Sequence, residues 1–320
     1  MTARRSFLFV AAAAILASTS RMVSAGSPLR PSVLRAFVGP VPKGGEKQLC
    51  HPFTFPGDEP TEVGRVQIRV HGESHHVHLY RSVGAPEYPP FECPYAVNFS
   101  HWALVAATQT KTLDWRLHRG VSIAFEPGEP LLVQTHFNND GSKRGTVGNA
   151  KAKITLHPVS PAKVRAHGGA LFAQDRAVLV PPGRTTVASR CALTGQGTGA
   201  RDLTIMALTG HYHYRGVEFQ VYRVNTDGSL GELLYEHQGY EDPPFKQYPA
   251  RKPLVLRAGE GIEWRCTYEN PGPETYEFGP NTLKNEHCNL FGFYYPADSP
   301  QETIDCVHYR DGRTERIVAK

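Results

Sequence analysis

Two histidines separated by one residue, His211 and His213, have the type and spacing best suited to metal chemistry in this sequence. They lie in G-H-Y-H-Y-R, 210–215, between an apolar run and the alternating apolar residues of 217–221. Alternate residues of a β-strand point to the same face, so the two imidazoles emerge side by side and can share one metal ion. Neutral imidazole binds copper, zinc, iron and nickel, so the pair alone does not name the metal. The alternative is a pair of surface histidines on an edge strand.

A second histidine-rich stretch, S-H-H-V-H-L-Y, spans residues 74–80. Its residues His76 and His78 share a strand face, whereas His75 points the other way unless the backbone bulges there. Three histidines in four residues are unusual for a plain strand and indicate a second metal site. A polar outer face or pH-sensitive surface residues are the alternatives.

Two single histidines follow other strand signals. His136 ends the aliphatic stretch 131–139, just before a polar turn, and His287 precedes an aromatic stretch within 285–296. A lone histidine at a strand end, such as His136, is more often structural than a ligand, and a metal-binding role is the alternative.

The elements that must position these histidines are predicted to be β-strands. Val66, Ile68 and Val70 alternate with polar residues, and 26 prolines and 30 glycines interrupt the chain at short intervals. Long amphipathic helices of the kind that alternate with parallel strands are missing, so we predict an all-β, mostly antiparallel fold.

Residues 26–46 are predicted to form an N-terminal arm. A proline-containing stretch at 157–162 then separates an N-terminal domain, 47–157, from a C-terminal domain, 158–320.

The first residues have the pattern of a secretory signal peptide. A basic pair at Arg4 and Arg5 precedes an apolar run and a small-x-small site ending at Ala25, so 1–25 are predicted to be cleaved. The apolar run is too short to span a bilayer, although an uncleaved anchor is the alternative. A mature chain of roughly 295 residues suggests two ordinary domains. We therefore predict a secreted or periplasmic protein that is not embedded in a membrane.

The cysteines and the charge fit an exported protein. All six cysteines lie after the signal, and an even number in an exported chain indicates disulfides, although six cysteines allow many pairings. The net charge of +5 is not concentrated in blocks, so we expect no nucleic-acid partner. A glycosylation sequon at Asn98 has meaning only in a eukaryotic source.

Taken together, the stretches resemble the copper type II, ascorbate-dependent monooxygenases, the family of the peptidylglycine and dopamine hydroxylases. The resemblance runs from about Cys50 to Cys306. It implies two β-sandwich domains of jelly-roll type, each holding one copper ion, which face each other across a solvent-filled cleft.

The resemblance assigns roles to individual residues. It implies that the electron-supplying copper is held by His75, His76 and His136, and that the oxygen-activating copper is held by His211 and His213. It also implies three disulfides, which are Cys50–Cys93, Cys191–Cys306 and Cys266–Cys288.

The sequence departs from the family at His287. Well-known members have methionine there, in Glu-Met-Cys, whereas this chain has Glu286-His287-Cys288. Thioether favours Cu(I), while imidazole binds both oxidation states. We therefore predict an altered oxygen-activating site, with His211, His213 and His287 as its ligands and catalytic residues.

The positions that would contact substrate also differ. Peptide-amidating members have an arginine and a tyrosine where this chain has Thr209 and Phe291. A neutral threonine cannot form the bidentate contact that an arginine gives a carboxylate, which argues against a glycine-extended peptide as substrate. Asn289 and Tyr294 are candidate cleft residues, or else packing residues.

The resemblance implies an exported dicopper monooxygenase. It would hydroxylate a C–H bond of a small or otherwise unidentified organic substrate with O2 and a one-electron reductant such as ascorbate. Two alternatives stay open: an exported copper-binding protein without hydroxylase activity, and a purely structural or adhesive sandwich.

Overall fold

The chain is built almost entirely of β-strands. The computed structural model describes residues 29–72, 74–82, 89–93, 102–139, 146–195 and 200–319. Within these ranges it has one short 3-10 helix, Pro161–Lys163, and no α-helix. None of the described helical residues forms a segment long and apolar enough to cross a membrane. The predicted signal peptide, 1–25, and the sequon at Asn98 lie outside the described residues.

The N-terminal half forms two sheets. Its strands are β1 (Ser32–Val41), β2 (Gly45–Thr54), β3 (Thr61–His71), β4 (Ser74–Ser82), β5 (Phe91–Glu92), β6 (Trp102–Thr108), β7 (Thr112–Arg116), β8 (Val121–Phe125), β9 (Pro130–Asn139), β10 (Val147–Val159) and β11 (Ala166–His167). One sheet has the order β1-β10-β3-β8-β11, with β7 also paired to β3, and the other, here called the inner sheet, has the order β5-β2-β9-β4-β6. The pairs are antiparallel except β8 with β11.

The C-terminal half adds two larger sheets. Its strands are β12 (Gly169–Asp175), β13 (Leu179–Val180), β14 (Gly183–Cys191), β15 (Leu203–Tyr212), β16 (Gly216–Val224), β17 (Leu230–Gln238), β18 (Lys246–Gln247), β19 (Leu254–Leu256), β20 (Gly261–Asn270), β21 (Tyr276–Glu277), β22 (Cys288–Tyr295), β23 (Thr303–His308) and β24 (Thr314–Ala319). The central sheet has the order β18-β15-β22-β12-β23-β24, with β19 on β15. The outer sheet is β14-β20-β16-β17, and β13 pairs with β21. Only β12 and β23 run parallel among these described pairs.

The central sheet is buried on both faces. Alternate residues point to opposite faces, and Phe291 and Phe293 of β22 join the core of the N-terminal half, whereas Leu290 and Tyr294 join the core under the outer sheet. The halves are therefore packed against each other through the central sheet. Both faces of β15 are apolar for the same reason, which explains the continuous apolar run before His211.

The prediction of an all-β fold is confirmed, and its antiparallel sheets are consistent with sandwich domains. The predicted arm, 26–46, is wrong in part because it contains β1. Leu34, Ala36 and Val38 are buried there in alternation with more exposed residues, and β1 pairs with β10. Proline and glycine around this strand concealed the alternation. Strand β10 continues through the proposed boundary at 157/158 to Val159, and the domain limits themselves stay a prediction.

The described residues contain three disulfides. They are Cys50–Cys93, Cys191–Cys306 and Cys266–Cys288, and no described cysteine is free. These are the pairs that the resemblance implies.

Candidate metal centre

The N-terminal histidines meet where β4 runs beside β9. The pairing of these strands shifts between Ser74 and His76, so that His75 is an extra residue opposite the partner strand. Such a bulge re-aims a side chain, and it turns His75 to the same side as His76. Ligand nitrogens of His75, His76 and His136 all lie within 4.8 Å of one another. These three residues, called the N-terminal group, are those that the resemblance implied.

The C-terminal histidines meet where β15 ends and β22 begins. The rings of His211 and His213 are 5.5 Å apart, and the ring of His287 lies 4.2 Å from that of His213 and 5.3 Å from that of His211. His211, His213 and His287 are called the C-terminal group. However, the histidine whose ligand nitrogen lies within 4.8 Å of those of both His211 and His213 is His75, from the N-terminal group. His287 is adjacent to the pair and also packs against Phe278 at 4.7 Å.

The two groups form one histidine cluster. His75 lies 4.6 Å from His211 and 5.1 Å from His213, measured between ring centroids, and His76 lies 5.2 Å from His211. The expected solvent-filled cleft between two separate sites is therefore wrong for this structure. The inner sheet packs directly on the central sheet, which closes the space between the groups.

Several nitrogens of the cluster are buried without a hydrogen-bond partner. They are His75 Nε2, His76 Nδ1, His213 Nε2 and His287 Nδ1. Burying an unpaired polar atom costs free energy, which a bound metal ion would offset. Imidazole donors suit copper, so the residues present fit the metal that the resemblance implies. Ligation by each named residue stays a prediction.

Burial keeps five of the imidazoles in the neutral form that binds metal ions. It lowers the pKa of His75, His76, His211 and His287 well below the usual value, with the neighbouring histidines adding to the effect. Burial likewise lowers the pKa of His213 to about 3. Metals bind neutral imidazole, so no proton has to leave these rings at neutral pH.

Hydrogen bonds orient the rings, and sequence reasoning missed the residues that make them. His76 Nε2 lies 3.2 Å from Gln134 Oε1, and His136 Nε2 lies 2.5 Å from Glu46 Oε1. His211 Nδ1 lies 2.6 Å from Gln109 Oε1. Such partners fix the tautomer of a ligand. Gln134 was detectable because it lies two residues before His136 on the same strand face, whereas Glu46 and Gln109 carry no local signal.

His78 is buried, but it is in neither of the two sets of three histidines whose ligand nitrogens all lie within 4.8 Å of one another. Its ring stacks on that of His76 at 4.1 Å and 7°, and its Nδ1 lies 2.9 Å from the hydroxyl of Tyr80. The lone pairs of an imidazole lie in the ring plane, so two parallel stacked rings do not direct their nitrogens at one point. His78 therefore supports His76 by packing.

Two neutral residues, Thr209 and Phe291, lie beside the C-terminal group on the side where the sequence predicted substrate contacts. Thr209 is buried and lies 3.3 Å from Gln109 Nε2, and Phe291 packs between His78 and Phe172 at 4.7 Å from each. Asn289 is on the same strand face as Phe291. The candidate cleft residue Tyr294 is a packing residue, since it belongs to the core on the opposite face and donates to Glu302 at 2.6 Å.

Two comparisons with known proteins relate the chain to a copper-dependent enzyme family. Residues 170–313 match the family described as copper type II ascorbate-dependent monooxygenase, C-terminal domain. The chain is 24% identical over 275 residues to peptidyl-glycine alpha-amidating monooxygenase B of Xenopus laevis, over 80% of this chain and 29% of that protein. The chain thus spans less than a third of the length of this relative.

Solved structures give only distant likenesses. A chain from "The Triple Jelly Roll Fold and Turret Assembly in an Archaeal Virus" has a TM-score of 0.25 at 8% identity, covering 81% of this chain and 58% of that one. A chain of the infectious bursal disease virus VP2 subviral particle has a TM-score of 0.24 at 9% identity, covering 89% and 74%. TM-scores this low do not relate the folds.

Proposed function

We propose that the histidine cluster binds two copper ions and that the protein oxidises an organic substrate. The matches above assign the chain to the copper type II ascorbate-dependent monooxygenases. The reaction proposed is hydroxylation of a C–H bond with O2 and a one-electron reductant such as ascorbate. The observation that carries the proposal is the convergence of six histidines, four of which have a buried nitrogen without a hydrogen-bond partner.

The ligands proposed are the N-terminal group for one copper ion and the C-terminal group for the other. Copper, when bound, supplies reversible one-electron exchange and activation of dioxygen. The remaining chemistry belongs to the chain. Burial lowers the pKa of five of its imidazoles, those of His75, His76, His211, His213 and His287, which are therefore neutral at physiological pH. Gln134, Glu46 and Gln109 lie within hydrogen-bond distance of His76, His136 and His211 and orient these rings.

The residues at the positions that would contact substrate, Thr209 and Phe291, favour a neutral substrate. Thr209 and Phe291 give no positive charge with which to bind a carboxylate, and the hydroxyl of Thr209 already contacts Gln109. A glycine-extended peptide, which ends in a carboxylate, is therefore not the substrate we propose. The substrate we propose is a neutral organic molecule with an accessible C–H bond.

We also propose that the protein is exported. Three disulfides and the family suggest an extracellular protein. The N-terminal pattern of residues 1–25 supports export through a cleaved signal peptide, to the secreted or periplasmic location that the sequence predicts.

A second candidate function is copper binding without hydroxylation. The observation that favours it is His287, which supplies imidazole where active relatives have a thioether. The two functions differ in turnover. In the hydroxylase, a copper-loaded protein consumes O2 with ascorbate and forms a product heavier by one oxygen atom.

The experiment is ascorbate-dependent O2 uptake by copper-loaded protein with a panel of neutral organic substrates, with products identified by mass spectrometry. We expect uptake coupled to product in the wild type, loss of product in His213→Ala, and an unchanged rate in His71→Ala, whose side chain is exposed. Full copper loading with no hydroxylated product from any substrate would favour the second candidate.

A further inference from the structure

We propose that the solvent side of the N-terminal sheet β1-β10-β3, together with β7, binds a linear anionic polysaccharide that carries sulfate or carboxylate groups. This surface is separate from the histidine cluster, and its test needs no bound metal. Six cations define the surface and are called the basic face; they are Arg35, Arg65, Arg69, Arg116, Lys151 and Lys153.

Strand alternation places the basic face on the outside of the molecule. Leu34, Ile68 and Ile154 are at most 3% exposed and belong to the hydrophobic core that joins the two halves. Successive residues of a strand point to opposite sides of the sheet, so the neighbours Arg35 and Arg69 point to solvent, and both are exposed. The basic face therefore points away from that core.

The cross-strand register aligns the cations in rows. Lys153 of β10 lies opposite Arg35 of β1 on one side and Arg69 of β3 on the other, which makes a row of three cations. Two positions along β10, Lys151 lies opposite His71 in a second row. Directly opposite residues of antiparallel strands have Cβ atoms about 4.5–5.5 Å apart, and like charges at that separation destabilise the sheet. An anionic chain bound along the rows removes this repulsion.

Five of the six cations lack a counter-ion within the protein. Arg65 pairs with Asp114 at 2.5 Å, and among the described residues no carboxylate forms an ion pair with any of the other five. Together with Asp114, the carboxylate that lies among them, the six cations leave a net charge of +5. The whole sequence has the same excess, 35 Lys and Arg against 30 Asp and Glu. The charge is concentrated in space but not along the sequence, because strand pairing brings distant residues together.

Two open grooves lie towards the two ends of β3, and neither has an acidic residue among its described lining residues. One has a volume of about 430 Å³, and its lining includes Arg35, Phe37, Arg69, His71, Lys151 and Lys153. The other has a volume of about 390 Å³, and its lining includes Gly64, Val159 and three more exposed cations, Arg119, Lys163 and Arg165. Gly64 and His71 lie about 23 Å apart at about 3.3 Å per strand residue. A span of this length suits a chain of linked anions rather than one small anion.

A polysaccharide fits this surface better than a lipid bilayer does. The guanidinium groups of Arg35 and Arg69 match the planar or forked oxygens of carboxylate and sulfate. Anionic membranes also attract basic clusters, but membrane binding grows with buried apolar area as well as with charge. The large apolar side chain exposed in the first groove is Phe37, at 63%. One aromatic ring beside a row of cations offers a sugar ring a packing surface, whereas it gives a bilayer little to bury.

The test is binding of the purified protein to heparin, a sulfated polysaccharide, at several NaCl concentrations, with uncharged dextran as the control. Wild-type protein should bind heparin and not dextran, and the logarithm of its binding constant should fall linearly with the logarithm of the salt concentration. Arg35→Ala/Arg69→Ala/Lys153→Ala should weaken binding about tenfold or more at physiological salt and reduce the steepness of that line by roughly 2. Arg251→Ala/Lys252→Ala/Lys284→Ala removes the same charge at exposed positions of the C-terminal half and should bind as the wild type does.

Urea unfolding separates loss of binding from loss of the fold. The variant of the basic face should be at least as stable as the wild type, because it removes like charges that lie opposite one another. Equal weakening in both triple variants would overturn the basic face as the binding site, as would wild-type protein that does not bind heparin at physiological salt. Tighter binding to phosphatidylserine vesicles or to double-stranded DNA than to heparin would overturn the polysaccharide as the partner.

Discussion

The carboxyl of Asp305 should make the stability of the protein depend on pH. Asp305 lies on β23, is 1% exposed, and has both carboxylate oxygens without a hydrogen-bond partner in the described residues. Burial raises its pKa from 3.8 to about 8. An unpaired carboxyl in such a place is neutral at low pH and is penalised once it ionises. The change we consider is Asp305→Asn, which keeps the shape and removes the titration.

The sign follows from proton binding. Between about pH 4 and pH 8 the unfolded chain has released this proton and the folded protein holds it, so folding stability falls as the pH rises and levels off above about pH 8. Each pKa unit corresponds to about 1.4 kcal/mol, so a shift of about four units sets a ceiling of roughly 6 kcal/mol. We expect a measured difference of about 2–4 kcal/mol, because local relaxation and water entry reduce such penalties.

The assay is urea unfolding of disulfide-intact wild type and Asp305→Asn at several pH values from 5 to 9. The free energy of unfolding of the variant relative to wild type should rise with pH by up to about 1.4 kcal/mol per unit and then become constant. Asp58→Asn, at an exposed aspartate, should show no such trend. A difference between Asp305→Asn and wild type that does not change with pH would refute the reasoning.

Two further perturbations test the packing around the site. Gln109→Ala should lower the free energy of unfolding by roughly 1–3 kcal/mol, because it leaves His211 Nδ1 and the buried carbonyl of Gly210 unpaired. Chemical denaturation measures this difference, with Gln301→Ala at an exposed position as the control. Equal stability of the two variants would contradict the prediction. Replacing Cys191 and Cys306 together by serine should cost about 5 kcal/mol, since that disulfide spans 115 residues. A loss below about 1 kcal/mol in the same assay would show that the cross-link does not limit the unfolded chain as the chain-entropy relation assumes.

The strand pattern could be predicted because alternation is local. The apolar run before His211 and the alternation of Val66 and Ile68 each correspond to an observed strand. The position of His75 was left conditional on a bulge, and the register shift between Ser74 and His76 supplies it. Strand β1 was missed because prolines and glycines surround it.

The closeness of the two histidine groups could not be predicted from the sequence. It depends on how the inner sheet packs on the central sheet, and no spacing along the chain reports that packing. Glu46 and Gln109 were missed for the same reason, since they act on residues 90 and 102 positions away. A resemblance carries ligand identities from one chain to another, but not the distance between two domains.

Copper content tests the central claim most directly. Purified protein is stripped with a chelator, reconstituted with copper, separated from unbound metal and measured by elemental analysis beside His75→Ala and His287→Ala. We expect two copper ions in the wild type and a larger loss in His75→Ala than in His287→Ala, because His75 lies within ligand distance of both histidine sets. Wild-type protein that retains no copper would contradict the assignment of the histidine cluster as a metal centre.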